Sequence, residues 1–121
     1  MTNPLQLYLV RHGETAWSLT GQHTGRTDLG LTAHGEDQAR ALAPRLCEIE
    51  FDPVLMSPSL RARQTCELAG LGARSLIEPD LAEWDYGDYE GWTTPQIHKR
   101  EPTSLHCWKR SWPMGRCAAT C

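Results

Sequence analysis

A short apolar run that ends abruptly in charged residues constrains the fold of this chain more than any other feature. Residues 5–10 read LQLYLV and are followed at once by Arg11, His12 and Gly13. A run of this length is typical of a strand buried on both faces of a parallel sheet. Because ligands of open α/β sheets bind beyond the carboxyl ends of the strands, the run predicts a site at Arg11 and His12.

The residue types at this strand end suit phosphate chemistry. The arginine guanidinium is a planar fork of donors that matches phosphate oxygens, and a neutral imidazole can attack phosphorus to form a covalent intermediate. Gly13 would let the backbone turn tightly and approach the phosphate. The alternative is that His12 is a strand-end histidine satisfied by a backbone carbonyl, since most histidines have no catalytic role.

A second segment adds arginines to the same kind of position. After the apolar run Val54–Met56, residues 57–65 read SPSLRARQT, which places Arg61 and Arg63 at the start of a predicted helix. Helix N-termini favour anions. Taken singly, the two arginines are also compatible with a solvated helix face.

A third segment supplies a carboxylate. Residues 81–91 read LAEWDYGDYEG, and Glu83 is flanked there by Leu81, Ala82 and Trp84. These apolar neighbours would desolvate the carboxyl and raise its pKa, which suits a general acid. Taken singly, Glu83 is also compatible with a surface loop.

The remaining pattern predicts a β-α-β-α order of elements. The predicted strands are 5–10, 54–56 and 75–77; the predicted helices begin after an N-cap at Thr32, at Pro58 and at Thr94. We expect the second helix to run to Ala69 and to end at the glycines that follow it. Residues 13–31 are predicted to form a loop, and Pro44 is expected to kink or shorten the first helix near Ala43.

The three motifs RHGET, SPSLRARQT and LAEWDYGDYEG occur in this order, joined by GQHTGRTDLGLTAHGEDQA. Together they resemble the histidine phosphatase superfamily, the phosphoglycerate mutase-like proteins, and within it the sedoheptulose-bisphosphatase-like sugar phosphatases. The resemblance runs from about Leu5 to about Pro102. It implies an α/β protein with an incomplete phosphoglycerate mutase-like three-layer fold, in which a mostly parallel sheet is flanked by helices.

The resemblance also implies a role for individual residues. His12 would be the nucleophile, Arg11 and Arg61 would clamp the phosphoryl group, and Glu83 would protonate the leaving oxygen and later activate water. The further positions that match substrate contacts are Ser18, Thr24, Gly25 and Tyr86. Mutases usually carry asparagine at the position of Ser18, which favours a phosphatase acting on a small phosphorylated sugar, and Arg63 receives no role.

Composition and motifs exclude several other classes. The net charge of −3 gives no reason to expect nucleic-acid binding. The chain has no long apolar stretch and an odd number of cysteines, which indicates a cytoplasmic protein without membrane association. We expect no cofactor and no metal, because arginines can supply the charge and no HExxH, CxxC or Walker pattern is present. The oligomeric state stays open.

The character of the sequence changes after residue 102. Residues 103–121 contain no acidic residue and three of the five cysteines, whereas all fifteen acidic residues lie in 1–102. We interpret 1–102 as the N-terminal part of a histidine phosphatase domain and 103–121 as a disordered or frameshifted tail. A metal site in the tail, or a partner-binding arm, is the alternative; the candidate ligands would be His106, Cys107, Cys117 and Cys121.

The resemblance further implies a late active-site histidine, usually followed by glycine, that this chain does not match. His34-Gly35 has the right dipeptide but precedes the second strand, and His23, His98 and His106 match no better. The sequence therefore predicts a truncated member whose own activity is weak or absent. Alternatives are a phosphoglycerate mutase-type enzyme, an inactive phosphate-binding module, and a fragment that associates with full-length partners through an open sheet edge.

Overall fold

The computed structural model of this chain describes residues 4–102. The helices and strands within this range are α1 (Ala16–Thr20), α2 (Ala33–Leu46), β1 (Val54–Met56), α3 (Leu60–Leu68), β2 (Ser75–Ile77) and α4 (Thr94–Arg100). Single turns of 3-10 helix lie at Gly72–Arg74, Pro79–Leu81 and Gly87–Tyr89. The tail 103–121 and its candidate metal ligands lie outside the described residues.

The two strands form a parallel pair joined by a helical crossover. Val54 pairs with Ser75 and Met56 with Ile77, and α3 connects the strands. Helix α3 packs against both α2 and β1. The α/β class, the parallel strands at 54–56 and 75–77 and their flanking helices are therefore confirmed.

Both ends of α3 are fixed by hydrogen bonds. At its N-terminus the Leu60 amide donates to Asp28 Oδ1 at 2.7 Å. At its C-terminus Gly70 has φ 82°, and the amides of Gly70 and Leu71 donate to the carbonyls of Glu67 and Cys66, at 3.0 Å each. This pairing is a Schellman motif, and it confirms that glycine ends the helix.

Helix α2 begins where the sequence predicts but does not end there. Thr32 is its N-cap and accepts a hydrogen bond from the Gly35 amide at 3.0 Å. The expected shortening near Ala43 is wrong, because the helix continues through Pro44 to Leu46, while a kink at Pro44 stays a prediction. Pro44 lies in the last turn, where it removes a single donor, and Leu46 is buried beyond it. Burial of that final residue favours continuation of the helix.

The predicted strand over residues 5–10 is wrong. These residues have no regular secondary structure, and Leu5 and Leu7 are 94% and 73% exposed. A strand requires neighbouring backbone donors and acceptors, and among residues 4–102 the sheet consists only of β1 and β2 paired with each other. Tyr8 instead packs edge to face on Phe51, with ring centroids 5.2 Å apart. The position of His12 must therefore be set by contacts other than a strand ladder.

The predicted loop over residues 13–31 contains one short helix that the sequence interpretation missed. Thr15 caps α1, and Thr15 and Ser18 form a capping box in which each side chain accepts from the backbone amide of the other, at 3.1 and 2.8 Å. None of the helices in the described part of the chain is long and apolar enough to cross a membrane.

Candidate active site

The hydrogen bond made by His12 determines which ring nitrogen is free. Nδ1 of His12 lies 2.7 Å from the carbonyl oxygen of Gly13. A carbonyl can only accept, so Nδ1 must carry the proton in the neutral ring. Nε2 then keeps its lone pair, as a nucleophile for phosphorus requires.

The surroundings of His12 also keep the ring neutral. Burial lowers the pKa of His12 below its ordinary value of 6.5, and the hydrogen bond to Gly13 acts in the opposite direction. The cationic groups of Arg61 and Arg11 lower the pKa further, while the Glu83 carboxylate raises it slightly. Three predicted site residues, Arg11, Arg61 and Glu83, therefore lie within electrostatic range of the His12 imidazole.

The direction of this shift makes a testable prediction. In a histidine-selective NMR titration, His12 should titrate with a midpoint below 6.5. Replacing Arg11 with glutamine should move that midpoint upward, because one nearby cation is removed. Since folding favours the neutral ring, the contribution of His12 to stability is present above pH 6.5 and is lost as the pH falls below it. A midpoint at or above 6.5 would contradict the described environment.

The backbone next to His12 is held by two helices. The Gly13 amide donates to Thr65 Oγ1 at 3.0 Å, and the Thr65 hydroxyl donates to the Arg61 carbonyl at 2.7 Å. A Cβ on Gly13 would collide with the backbone of Gly35. The close approach that requires glycine at position 13 is thus an approach to helix α2. Residue 12 is anchored by the packing of residue 13 between α2 and α3.

Arg61 is the most deeply enclosed cation of the site. It is 2% exposed, and its guanidinium donates to the carbonyl oxygens of Gly25 and Thr27 at 3.1 Å each and of Thr24 at 3.4 Å. Nε of Arg61 is buried without a hydrogen-bond partner among the described residues. Buried donors are normally satisfied, so this nitrogen keeps the capacity for one further hydrogen bond to an acceptor such as an anionic oxygen.

Thr24 and Gly25 reach the site through their backbone. Their carbonyls contact Arg61, while the Thr24 hydroxyl donates to the Gln22 carbonyl at 3.3 Å. A Cβ on Gly25 would collide with the carbonyl of Trp84, so glycine is required here for close packing. The loop around Thr24 and Gly25 therefore contacts the segment that contains Glu83.

The expected burial of the Glu83 carboxyl is wrong. Glu83 is exposed, and its neighbours Leu81 and Trp84 are each 49% exposed, because this segment lies on the surface of the described chain. Its Oε1 accepts from the Trp84 amide at 2.7 Å. The Glu83 charge nonetheless raises the pKa of both His12 and Tyr86, so it lies within electrostatic range of both side chains.

Tyr86 lies beside the site, whereas the hydroxyl of Ser18 forms hydrogen bonds with the backbone of Thr15 at the start of α1. Burial raises the pKa of Tyr86 above 10.0, and the Glu83 and Glu90 carboxylates raise it further while Arg61 lowers it. The Tyr86 ring lies 4.9 Å from that of His23. The Ser18 hydroxyl donates to the Thr15 carbonyl at 3.0 Å and accepts from the Thr15 amide, so its visible role is to cap α1.

Two residues that the sequence interpretation missed support this arrangement. Thr65 lies four residues after Arg61 on the same helix, a spacing that places both on one face and could have identified it. Glu90 accepts hydrogen bonds from the Gly25 and Arg26 amides and the Thr27 hydroxyl. Nothing in the sequence distinguishes Glu90 from Asp85 and Asp88 in the same acidic segment.

Residues 4–102 hold no group of three or more His, Cys, Asp or Glu side chains that could bind a metal ion.

An α/β chain that gathers a neutral imidazole, two guanidinium groups and a carboxylate is typical of proteins that transfer phosphoryl groups. Residues 7–119 match the sequence model of the histidine phosphatase superfamily (branch 1). The chain belongs to this superfamily.

Individual relatives agree with that assignment. The chain is 47% identical over 116 residues to an acid phosphatase of Mycobacterium tuberculosis, and this match covers 94% of the chain and 56% of the relative. It is 40% identical over 104 residues to sedoheptulose 1,7-bisphosphatase of Saccharomyces cerevisiae, covering 74% of this chain and 38% of the relative. The crystal structure of phosphoglycerate mutase from Thermus thermophilus superposes with a TM-score of 0.66 at 39% identity, covering 81% of this chain and 54% of that one.

These matches support the phosphoglycerate mutase-like fold and bear on the extent of the chain. The chain spans 56% and 38% of the two curated relatives. The family match extends to residue 119, into the segment interpreted above as an atypical tail. The domain boundary at residue 102 therefore stays a prediction.

Proposed function

We propose that this site hydrolyses the phosphomonoester of a small phosphorylated sugar through a phosphohistidine formed on His12. One observation carries the proposal: a histidine with a free Nε2 lone pair lies within electrostatic range of a buried arginine whose Nε has no partner in the described chain. A phosphoryl group bound by Arg61 would satisfy that nitrogen. It would also lie beside the nucleophile.

The proposed reaction has two displacement steps. Nε2 of His12 attacks phosphorus, the bond to the ester oxygen breaks, and Glu83 gives its proton to that oxygen. Water then attacks the phosphohistidine, Glu83 takes a proton from the water, and inorganic phosphate leaves while the imidazole is restored. Arg11 and Arg61 neutralise the phosphoryl oxygens in both steps, so this scheme needs no other cation.

The sugar phosphate as substrate is supported by the similarity to the yeast sedoheptulose 1,7-bisphosphatase and by serine at position 18. We propose Ser18, Thr24, Gly25 and Tyr86 as the residues around the substrate, with Ser18 acting through its cap on α1. Cytoplasmic residence belongs to the same proposal.

Phosphoryl transfer of the mutase type is the second candidate function, and the similarity to the Thermus thermophilus phosphoglycerate mutase favours it. The two activities give different products. A phosphatase releases inorganic phosphate from every turnover, whereas a mutase returns the phosphoryl group to a second hydroxyl of the substrate.

The test is to trap the intermediate and follow its fate. The full chain is mixed with 32P-labelled sugar bisphosphate, quenched in base and compared with His12→Asn. We expect acid-labile, base-stable label on the protein, absent from His12→Asn, followed by release of inorganic phosphate.

Each alternative has its own signature in this experiment. Label that moves to another hydroxyl of the sugar would favour the mutase, and label retained by His12→Asn would contradict the phosphohistidine. Phosphate binding without any labelling would support the inactive phosphate-binding module.

A further inference from the structure

Glu90 binds one side of the loop that contains Thr24 and Gly25. Its Oε1 accepts from the amides of Gly25 and Arg26 at 2.9 Å each, and its Oε2 accepts from the Thr27 hydroxyl at 2.8 Å. The Gly25 amide also lies 3.2 Å from Oε2. One carboxylate thus receives hydrogen bonds from three consecutive residues, which is enough to fix the conformation of the loop.

The other side of the same loop binds Arg61. The carbonyls of Thr24, Gly25 and Thr27 accept from its two terminal nitrogens. The Gly25 residue is held from both directions, since its amide donates to Glu90 and its carbonyl accepts from Arg61. The direction in which the guanidinium presents Nε, its one nitrogen without a partner in the described chain, therefore depends on where the loop lies.

The hydrogen bonds of Glu90 separate its role from that of an acid catalyst. Although desolvation by burial acts to raise the pKa of Glu90, the bonds from the Thr27 hydroxyl and the Gly25, Arg26 and Tyr86 backbone outweigh it and lower the pKa below 4.5. A carboxylate held in its ionised form is a good acceptor and a poor proton donor. Glu90 therefore serves as an acceptor for the loop, and the proton transfer proposed above stays with Glu83.

We propose that Glu90 is a positioning residue that orients Arg61 for phosphate binding by holding the loop of residues 25–27. The claim that phosphate binds at Arg61 rests on the function proposed above, whereas the claim that Glu90 orients Arg61 does not depend on it. Glu90 acts on the anion only through Arg61. The two statements are tested by separate measurements on the same protein.

The first measurement is the NMR signal of the Arg61 Nε–H group in the full chain labelled with 15N-arginine, assigned by its loss in Arg61→Lys. In Glu90→Gln we expect this signal to shift and broaden, because the uncharged amide replaces one acceptor oxygen with a donor. Asp88→Asn is the matched control, since it removes the same charge from an exposed residue two positions away. Thr27→Val removes a single hydrogen bond to Glu90 and should shift the Arg61 signal by a smaller amount in the same direction. This variant replaces Glu90→Gln in the test if Glu90→Gln does not fold.

The second measurement is the affinity of each variant for inorganic phosphate by calorimetry. Glu90→Gln should weaken binding on the order of tenfold, with one site per folded molecule retained. A merely structural role for Glu90 would lower the fraction of binding-competent protein at unchanged affinity, and that result would overturn the proposal. An unchanged Arg61 signal in Glu90→Gln, or an equal change in Asp88→Asn, would overturn it as well. If phosphate does not move the Arg61 signal in the unaltered chain, the proposed function fails, while the NMR comparison still decides the orientation of Arg61.

Discussion

Replacing Arg61 with methionine is expected to slow phosphorylation of His12 by about 10²- to 10³-fold, the usual cost of removing one preorganised charge-stabilising group. Arg61 is 2% exposed, and its only unpaired nitrogen in the described chain is Nε. The loss should occur in the phosphorylation step, because charge on the phosphoryl oxygens is redistributed there. Quenched-flow measurement of labelled protein gives this rate directly.

Arg63 provides the matched control for this prediction. It lies two residues away on α3, is exposed, and should tolerate methionine with little change in the phosphorylation rate. Arg61→Lys should resemble Arg61→Met more than the unaltered chain, since an ammonium cannot reproduce a fork that bonds three carbonyls. A phosphorylation rate in Arg61→Met within threefold of the unaltered chain, roughly 0.6 kcal/mol, would contradict the assigned role.

The sequence predicted the elements whose signals are local. Val54–Met56 and Ser75–Ile77 form the expected parallel pair, and Thr32 and Gly70 mark helix ends because capping depends on the residue itself. The apolar run at residues 5–10 misled the prediction, because its pattern reports hydrophobicity and does not report whether a partner strand is present. Tertiary contacts decide that question.

In the candidate site, too, the sequence predicted some residues, while the roles of others depend on tertiary contacts. The motifs predicted His12, Arg61 and Glu83 as site residues, and the structure places the charges of Arg61 and Glu83 within electrostatic range of His12. The role of Glu90 could not be predicted, because it depends on a distant loop, with a sequence separation of 65 to Gly25. The exposure of Glu83 could not be predicted either, since apolar neighbours desolvate a carboxyl only when they are themselves buried.

Replacing Gly35 with alanine is expected to destabilise the protein by about 2–3 kcal/mol, the usual range for overpacking a tight contact. Gly35 is buried in the first turn of α2, and a Cβ there would collide with the backbone of Glu14. The Glu14 backbone cannot move away freely, because its carbonyl accepts from the Thr32 amide and its amide donates to Gln38 Oε1, both at 2.9 Å. Alanine is favoured over glycine within a helix by about 1 kcal/mol, so the loss would appear despite a gain in helix propensity.

Gly21→Ala separates the collision from the general effect of replacing a glycine. Gly21 has φ 77° but nothing within 4 Å of its Cβ position, so only the backbone penalty of about 1–2 kcal/mol applies. Denaturant unfolding compares the two variants, and the His12 titration reports on the site itself. Because residues 13 and 14 join His12 to α2, Gly35→Ala should also move the His12 midpoint, whereas Gly21→Ala should leave it in place. Unchanged or increased stability in Gly35→Ala would mean that the contact between α2 and the backbone beside His12 is looser than described, and that His12 is positioned by α3 and Thr65 alone.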